Sequence, residues 1–240
     1  DEILGGLFAK GIGKVVDVGA DMPSSKMALE LAKQYEFVYA ALGVHPSEVE
    51  GLTEDDMAWI SSHAAHEKVA AIGEIGLDYH WPEPKPALQK QWFRRQIELA
   101  KEVKLPIIVH SRDAAEPTMQ IIQETKAYEC GGVIHCYSYS PEMAEEYVKM
   151  GFFIGMGGVL TFKNAKKLVR CAERIPLSSI VLETDCPYMA PEPNRGKRND
   201  SSQLIYVAQK LAEIKGITAE EVKQVTTENA HRLYRLTQNK

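Results

Sequence analysis

Short apolar runs, each ending in a glycine or in a side chain of metal-binding type, recur along this chain. Their ends, Gly19, Gly43, Glu74, His110, His135, Gly158 and Asp185, lie roughly 24 to 36 residues apart, the length of a β/α unit. The run that most constrains the fold is Val69-Ala-Ala-Ile-Gly-Glu-Ile-Gly-Leu-Asp-Tyr79, in which four apolar residues lead through Gly73 into Glu74. Such a run, bounded by glycines, reads as a strand buried on both faces. A carboxylate at its end is costly unless it is paired or bound to a metal. Leu105-Pro-Ile-Ile-Val-His110, Gly132-Val-Ile-His135 and Ile180-Val-Leu-Glu-Thr-Asp185 repeat the construction. A polar ligand-type residue at the end of several buried strands is the pattern of a barrel enzyme with its site on one face.

Helical patterns separate the runs. Ser24 or Ser25 is placed to cap a helix running to about Glu36, and Thr53-Glu-Asp-Asp56 is a near capping box. After the proline-rich segment from Tyr79 to Pro86, Leu88, Trp92, Leu99 and Val103 mark one face of a long helix to Lys104. Asp113 with Glu116 opens another helix, Ser140-Pro141 caps the next, and Lys163 to Arg174 reads as helical. Two helices close the chain, the second capped by Thr218. Alternation of this kind implies a parallel sheet and the fold class α/β, a TIM (β/α)8 barrel in a single domain over residues 1–240. Seven strand ends are visible where a closed barrel needs eight, and every interval is already a normal unit. The first strand of the barrel is therefore expected to lie before Asp1.

Composition limits the function classes. With 45% hydrophobic and 25% charged residues the chain is of ordinary globular type, and no apolar run approaches the ~20 residues of a membrane span. Its four cysteines show no CxxC spacing, so neither a zinc knuckle nor a disulfide framework is indicated, and a reducing cytoplasm is the expected setting. A net charge of −5 argues against sequence-blind wrapping of duplex DNA by a basic surface. It leaves open a nuclease whose metals meet the phosphate.

Glu74, His110, His135 and Asp185 are oxygen and nitrogen ligands suited to Zn²⁺, Mn²⁺ or Mg²⁺. A carboxylate can bridge two such ions, an arrangement that stabilises attacking and leaving oxygens in phosphoryl transfer. Glu74 is the candidate bridge, with His110 and His135 sharing one ion. Asp185 is the candidate for holding a second ion and for orienting or deprotonating the attacking water. His45, in Gly43-Val-His-Pro46, and Arg112 are placed to contact a phosphate, as are Arg195 and Lys197 in the one local basic cluster, which Arg198 extends. Tyr137, Tyr139 and Trp81 are candidates for stacking on a base, with aromatic packing as the other reading.

In order, Gly43-Val-His-Pro, Gly73-Glu-Ile-Gly-Leu-Asp-Tyr, Val109-His-Ser-Arg, Ile134-His-Cys-Tyr-Ser, Leu182-Glu-Thr-Asp-Cys-Pro-Tyr and Arg195-Gly-Lys-Arg-Asn resemble the TatD family of metal-dependent deoxyribonucleases. The resemblance extends to Glu228-Asn-Ala-His-Arg-Leu-Tyr. It implies a TIM barrel of the amidohydrolase superfamily, two divalent metal ions (Mg, Mn or Zn), and metal roles for Glu74, His110, His135 and Asp185. It further implies hydrolysis of DNA phosphodiesters, often as a 3′-to-5′ exonuclease. The family's first strand carries a His-x-His pair, and no His-x-His occurs here; the first histidine is His45. That is the same strand the spacing places before Asp1. The expected protein is a cytoplasmic monomer acting on DNA. A metal amidohydrolase or lactonase on the same scaffold is the second reading, and a metal-poor barrel that only binds is the third.

Overall fold

The computed structural model describes residues 2–236. They form two compact units, one spanning Lys14–Ile134 and the other drawn from the stretches Asp1–Gly13 and His135–Lys240. The latter contains α1 (Glu2–Leu7), where Ile3, Leu4 and Leu7 take the helical conformation their spacing suggests.

In the Lys14–Ile134 unit the order is β1 (Val15–Val18), α2 (Met22–Gln34), β2 (Val38–Leu42), α3 (Glu54–His63) and β3 (Val69–Asp78). It continues with α4 (Pro86–Val103), β4 (Ile107–Arg112), α5 (Ala115–Glu124) and β5 (Gly132–Ile134). Each strand pairs in parallel with the next, from β1 through β5. The apolar runs read correctly as strands buried on both faces: Ala40, Ala41, Leu42, Ile72, Ile107 and Val109 have no exposed surface.

Two strands that carry candidate ligands extend past the residues expected to end them, whereas β5 and β7 stop short of His135 and Asp185. β3 runs on to Asp78 and β4 to Arg112, so Glu74 and His110 are interior to their strands. Glu74 is tolerated there because the ladder is irregular. Ile72 pairs with Ile107 but Ile75 with Val109, so β3 holds one extra residue at Gly73-Glu74. Such a bulge removes a residue from the ladder and re-aims its side chain. The Glu74 N–H accordingly leaves the neighbouring strand and donates to the Gly19 carbonyl at 2.9 Å.

Helix starts also differ in detail. Asp21, rather than a serine, is the N-cap of α2: its carboxylate accepts the Ser24 N–H at 2.7 Å while the Ser24 hydroxyl accepts the Asp21 N–H. Ser25 is thereby turned inward and is fully buried, donating to the Gly43 carbonyl at 2.9 Å and accepting its N–H at 3.1 Å. Asp113 sits at φ 52°, outside the helix it was expected to open, and α5 starts at Ala115. Thr53 and Asp56 form the anticipated capping box of α3.

The other unit continues with α6 (Pro141–Lys149), β6 (Phe153–Met156), α7 (Lys166–Arg174), β7 (Ile180–Leu182), α8 (Leu204–Lys215) and α9 (Ala219–Tyr234). β6 and β7 are parallel, with Ile154 opposite Ile180 and Met156 opposite Leu182. Ser140 and Thr218 cap α6 and α9 as their sequences suggest, whereas α7 starts three residues after Lys163. The buried Asn229 of α9 donates to the carbonyls of Leu177 and Ile180 at 2.8 and 2.7 Å, fastening the helix to the start of β7. No helix of the described residues is long and apolar enough to cross a membrane.

Candidate metal centre

In the Lys14–Ile134 unit, His45, Glu74 and His110 come together, each offering one ligand atom with all three atoms within 4.8 Å of one another. Their side chains are largely covered, at 16%, 18% and 18% exposure. The His110 ring lies between two carboxylates: Nδ1 is 2.8 Å from Glu74 Oε1 and Nε2 is 3.0 Å from Asp78 Oδ2. Burial by itself would lower the pKa of this imidazole, but its hydrogen bonds to Asp78 and Glu74 outweigh burial and raise it. Asp78 responds in the opposite sense. Burial would raise its pKa, and the hydrogen bonds from His110 and the His80 N–H bring it below the usual value.

Asp78 is almost completely enclosed, and sequence reasoning did not assign it a part. It lies four residues after Glu74 on β3, and it accepts at the far nitrogen of the histidine. A carboxylate behind a ligating histidine fixes the ring's tautomer and orientation. That leaves Nδ1 and Glu74 Oε1, an imidazole nitrogen and a carboxylate oxygen, as the pair that fits a divalent ion.

His45 is held differently. Its Nδ1 accepts the backbone N–H of Ser47 at 3.1 Å, so the neutral ring carries its proton on Nε2, 3.9 Å from Glu74 Oε1. The ring is thus set to donate from Nε2, although proximity alone groups it with the ligands. It also packs edge-on against His110, with ring centroids 4.2 Å apart.

Two buried glutamines on α4 hold the backbone at these strand ends, and no apolar pattern marks them. Gln96 accepts the Val44 N–H at 2.8 Å and donates to the Val44 carbonyl at 3.0 Å, next to His45. Gln89 accepts the Asp78 N–H and donates to the Asp78 carbonyl, both at 2.8 Å. Seven residues apart on one helix face, they satisfy backbone groups that would otherwise cost about 1–3 kcal/mol each if left unpaired.

The other unit holds a parallel arrangement. His135 follows β5, and Glu183 and Asp185 follow β7. His135 Nδ1 is 2.9 Å from Glu183 Oε2, and its Nε2 is 2.9 Å from Asp185 Oδ1. The second Glu183 oxygen accepts the Cys136 N–H at 2.6 Å. Glu183 lies flat on β6: a Cβ added to Gly155 would stand 2.2 Å from its Oε2, so the glycine makes room for the carboxylate. Glu183 was also unassigned from sequence. Its alternation with Asp185, two residues on, is the signal that both acids face the same side. Burial pushes the Cys136 thiol far up, so this cysteine stays protonated beside the histidine.

The remaining candidates are spread out. Arg112 ends β4 exposed to solvent. Arg195 and Lys197 are exposed in the loop after β7, the Arg195 guanidinium 4.3 Å over the Phe162 ring and Lys197 Nζ 3.3 Å from Asn194 Oδ1. Tyr137 is 2% exposed and its hydroxyl donates to the Ser140 carbonyl at 2.6 Å, so packing is its use rather than stacking on a base. Trp81 is exposed.

A family model described as TatD related DNase matches residues 1–235. The chain is similar to the metal-dependent hydrolase YabD of Bacillus subtilis, 48% identical over 236 residues that cover 98% of this chain and 92% of that protein. It is also similar to the metal-dependent hydrolase YcfH of Escherichia coli, 35% identical over 237 residues, covering 98% of this chain and 88% of the relative. Among solved structures, YJJV, a TatD homologue of Escherichia coli, superposes with a TM-score of 0.92 at 31% identity, covering 98% and 92% of the two chains. The fold class is accordingly α/β, of the TIM-barrel type.

Proposed function

The chain belongs to the TatD family of metal-dependent hydrolases, and within it we propose that this protein hydrolyses phosphodiester bonds of DNA, as a 3′-to-5′ exonuclease. The observation that carries the reading is the pairing of Glu74 Oε1 with His110 Nδ1 at 2.8 Å, with Asp78 holding the far nitrogen of the ring at 3.0 Å. Glu74 and His110 are the proposed metal ligands of one unit, and His135 and Asp185 those of the other, for two divalent ions of the Mg, Mn or Zn type. Bound divalent ions supply Lewis acidity toward a phosphoryl oxygen and bring water within reach of ionisation near neutral pH.

The chain's own residues do the rest. Asp78 and Glu183 hold the rings of His110 and His135 in one tautomer and one orientation. Asp185, whose Oδ1 is 2.9 Å from His135 Nε2, takes the proton from the attacking water at a carboxylate oxygen. His45 donates from Nε2 toward a phosphate oxygen, a role its Ser47-bound Nδ1 favours. Arg112, Arg195 and Lys197 neutralise phosphate charge, Arg by its planar fork and Lys as a point charge. A cytoplasmic setting and a monomer are the proposed working state.

The test is a substrate panel with metal-loaded protein: single-stranded DNA and a chromogenic phosphodiester against lactones and amides. Hydrolysis of the diesters, lost with chelator and restored by metal, is the expected result. Turnover confined to an acyl substrate would replace this reading with the amidohydrolase one, and less than one metal per chain by elemental analysis would favour a binding module. Within the site, Glu183→Gln keeps the volume but loses the charge that orients His135. Metal affinity or kcat is expected to fall by about 10- to 100-fold. An unchanged metal titration would deny Glu183 that part.

A further inference from the structure

Strand β3 outruns its neighbour on one side. The ladder between β2 and β3 ends with Leu42 opposite Ile72, while β3 continues to Asp78. The Tyr79 N–H donates to the Arg112 carbonyl of β4 at 2.9 Å. Asp78, one residue earlier, therefore turns its backbone groups to the side where β2 has stopped. Gln89 of α4, 1% exposed, stands in for the absent strand. Its carboxamide carries the donor and acceptor of a peptide group. Oε1 accepts the Asp78 N–H and Nε2 donates to the Asp78 carbonyl, both at 2.8 Å. The second hydrogen on Nε2 goes to the Pro84 carbonyl at 2.7 Å.

These three bonds reach the metal centre through one carboxylate. Asp78 Oδ2 is 3.0 Å from His110 Nε2, and Oδ1 accepts the His80 N–H at 2.9 Å. The carboxylate is thus gripped at both oxygens, and each grip depends on Gln89. The amide fixes the height and rotation of the backbone from which the Asp78 side chain springs. By holding Pro84 it also closes the far end of the loop that supplies the His80 N–H. The His110 ring follows the carboxylate, and its other nitrogen, Nδ1, faces Glu74 Oε1 at 2.8 Å. A chain of contacts therefore runs from a helix side chain to the pair of atoms that fits a divalent ion. Supports of this kind, one layer behind the ligands, tune the affinity of a metal site.

We propose that Gln89 is a positioning residue of the metal centre: acting through Asp78, it sets the orientation of His110 and with it the affinity for a divalent ion. The inference rests on Glu74 and His110 being the metal ligands of the phosphodiesterase reading. Gln96 separates this role from a purely structural one. It is equally buried on the same helix and makes the same pair of bonds, but to Val44, which leads to His45 rather than to a ligand. If these amides served only to satisfy backbone groups, replacing either would have the same consequences.

The full chain would be titrated with Mn²⁺, the free ion being read by electron paramagnetic resonance, and melted in parallel. Gln89→Met keeps the length of the side chain but offers no hydrogen bond. It should weaken Mn²⁺ binding about tenfold, the lower end of what a group behind a ligand contributes. Gln89→Glu still accepts the Asp78 N–H, which covers the case in which the methionine variant does not fold. Its carboxylate cannot donate to the Asp78 and Pro84 carbonyls, so it too should bind Mn²⁺ more weakly than the wild type. The same two substitutions at Gln96 should lower the melting temperature yet leave the Mn²⁺ affinity at the wild-type value. Glu74→Gln identifies the site, because it removes a ligand outright. Wild-type affinity in the Gln89 variants while Glu74→Gln is weakened would overturn the positioning role, and so would equal losses at Gln89 and Gln96. Unchanged affinity in Glu74→Gln would instead overturn the ligand assignment and the inference with it. A wild type whose Mn²⁺ binding depends on Gln89 but which cleaves no diester would sink the phosphodiesterase reading and leave the positioning role standing.

Discussion

Glu74→Gln is expected to lower kcat/KM on a phosphodiester by at least about a thousandfold, the several kcal/mol that a metal's charge stabilisation supplies to the transition state. Glutamine keeps the volume and the bulge, so the thermal transition should stay near that of the wild type. What changes is the donor set. The Glu74 carboxylate lies 2.8 Å from His110 Nδ1, and an amide there has lost the negative charge that a cation requires. Elemental analysis should show the loss directly, with fewer bound ions per chain than the wild type. A variant that kept a tenth of the activity with its full metal content would remove Glu74 from the proposed machinery.

Gly76→Ala is expected to cost the protein at least about 4 kcal/mol of stability, a size reserved for core disruption and backbone strain. Gly76 pairs with His110 across β3 and β4 and sits at φ 149°. An added Cβ would stand 1.9 Å from the His110 carbonyl oxygen and 2.8 Å from its carbon, so backbone rather than a flexible side chain must give way. The strand pair that carries Glu74, Asp78 and His110 would be forced apart. At about 2–4 °C per kcal/mol, the melting temperature should fall by roughly 10 °C or more, or soluble protein should be lost altogether. Gly131→Ala is the control, because it is also left-handed, at φ 70°, but has open space around its Cβ. It should cost only the conformational strain, on the order of 1–2 kcal/mol. A Gly76→Ala protein melting within a few degrees of wild type would show that the two strands are not locked as described.

The contrast between these two glycine sites shows what a linear pattern carries. Gly76 and Gly131 are equally plain as letters, and only the approach of His110's backbone separates them. The same holds for the acids. Glu74, His110, His135 and Asp185 stood out because a charged or ligating residue inside or beside an apolar run is a local anomaly. Asp78 and Glu183 raised no such flag, although each sits in the same motif as a residue that did. Their roles depend on hydrogen bonds to His110 and His135 at sequence separations of 32 and 48 residues.

What the sequence determined by itself was the order of strands and helices, most of the caps, the family, and the residue types gathered near the strand ends. Those are encoded by periodicity and by neighbours a few positions away, where burial and capping act. The tertiary structure decided the rest. It decided that β3 bulges at Gly73-Glu74 and so presents the carboxylate. It turned Ser25 inward and gave α2 to Asp21. It set Gln89 and Gln96 of α4 against the backbone of Asp78 and Val44, the latter 52 residues away in sequence. A glutamine on a helix becomes a clamp only when the helix packs at one rotation and one height against a given strand end. Register and packing fix those two quantities over the whole fold, and no local pattern of residues records them.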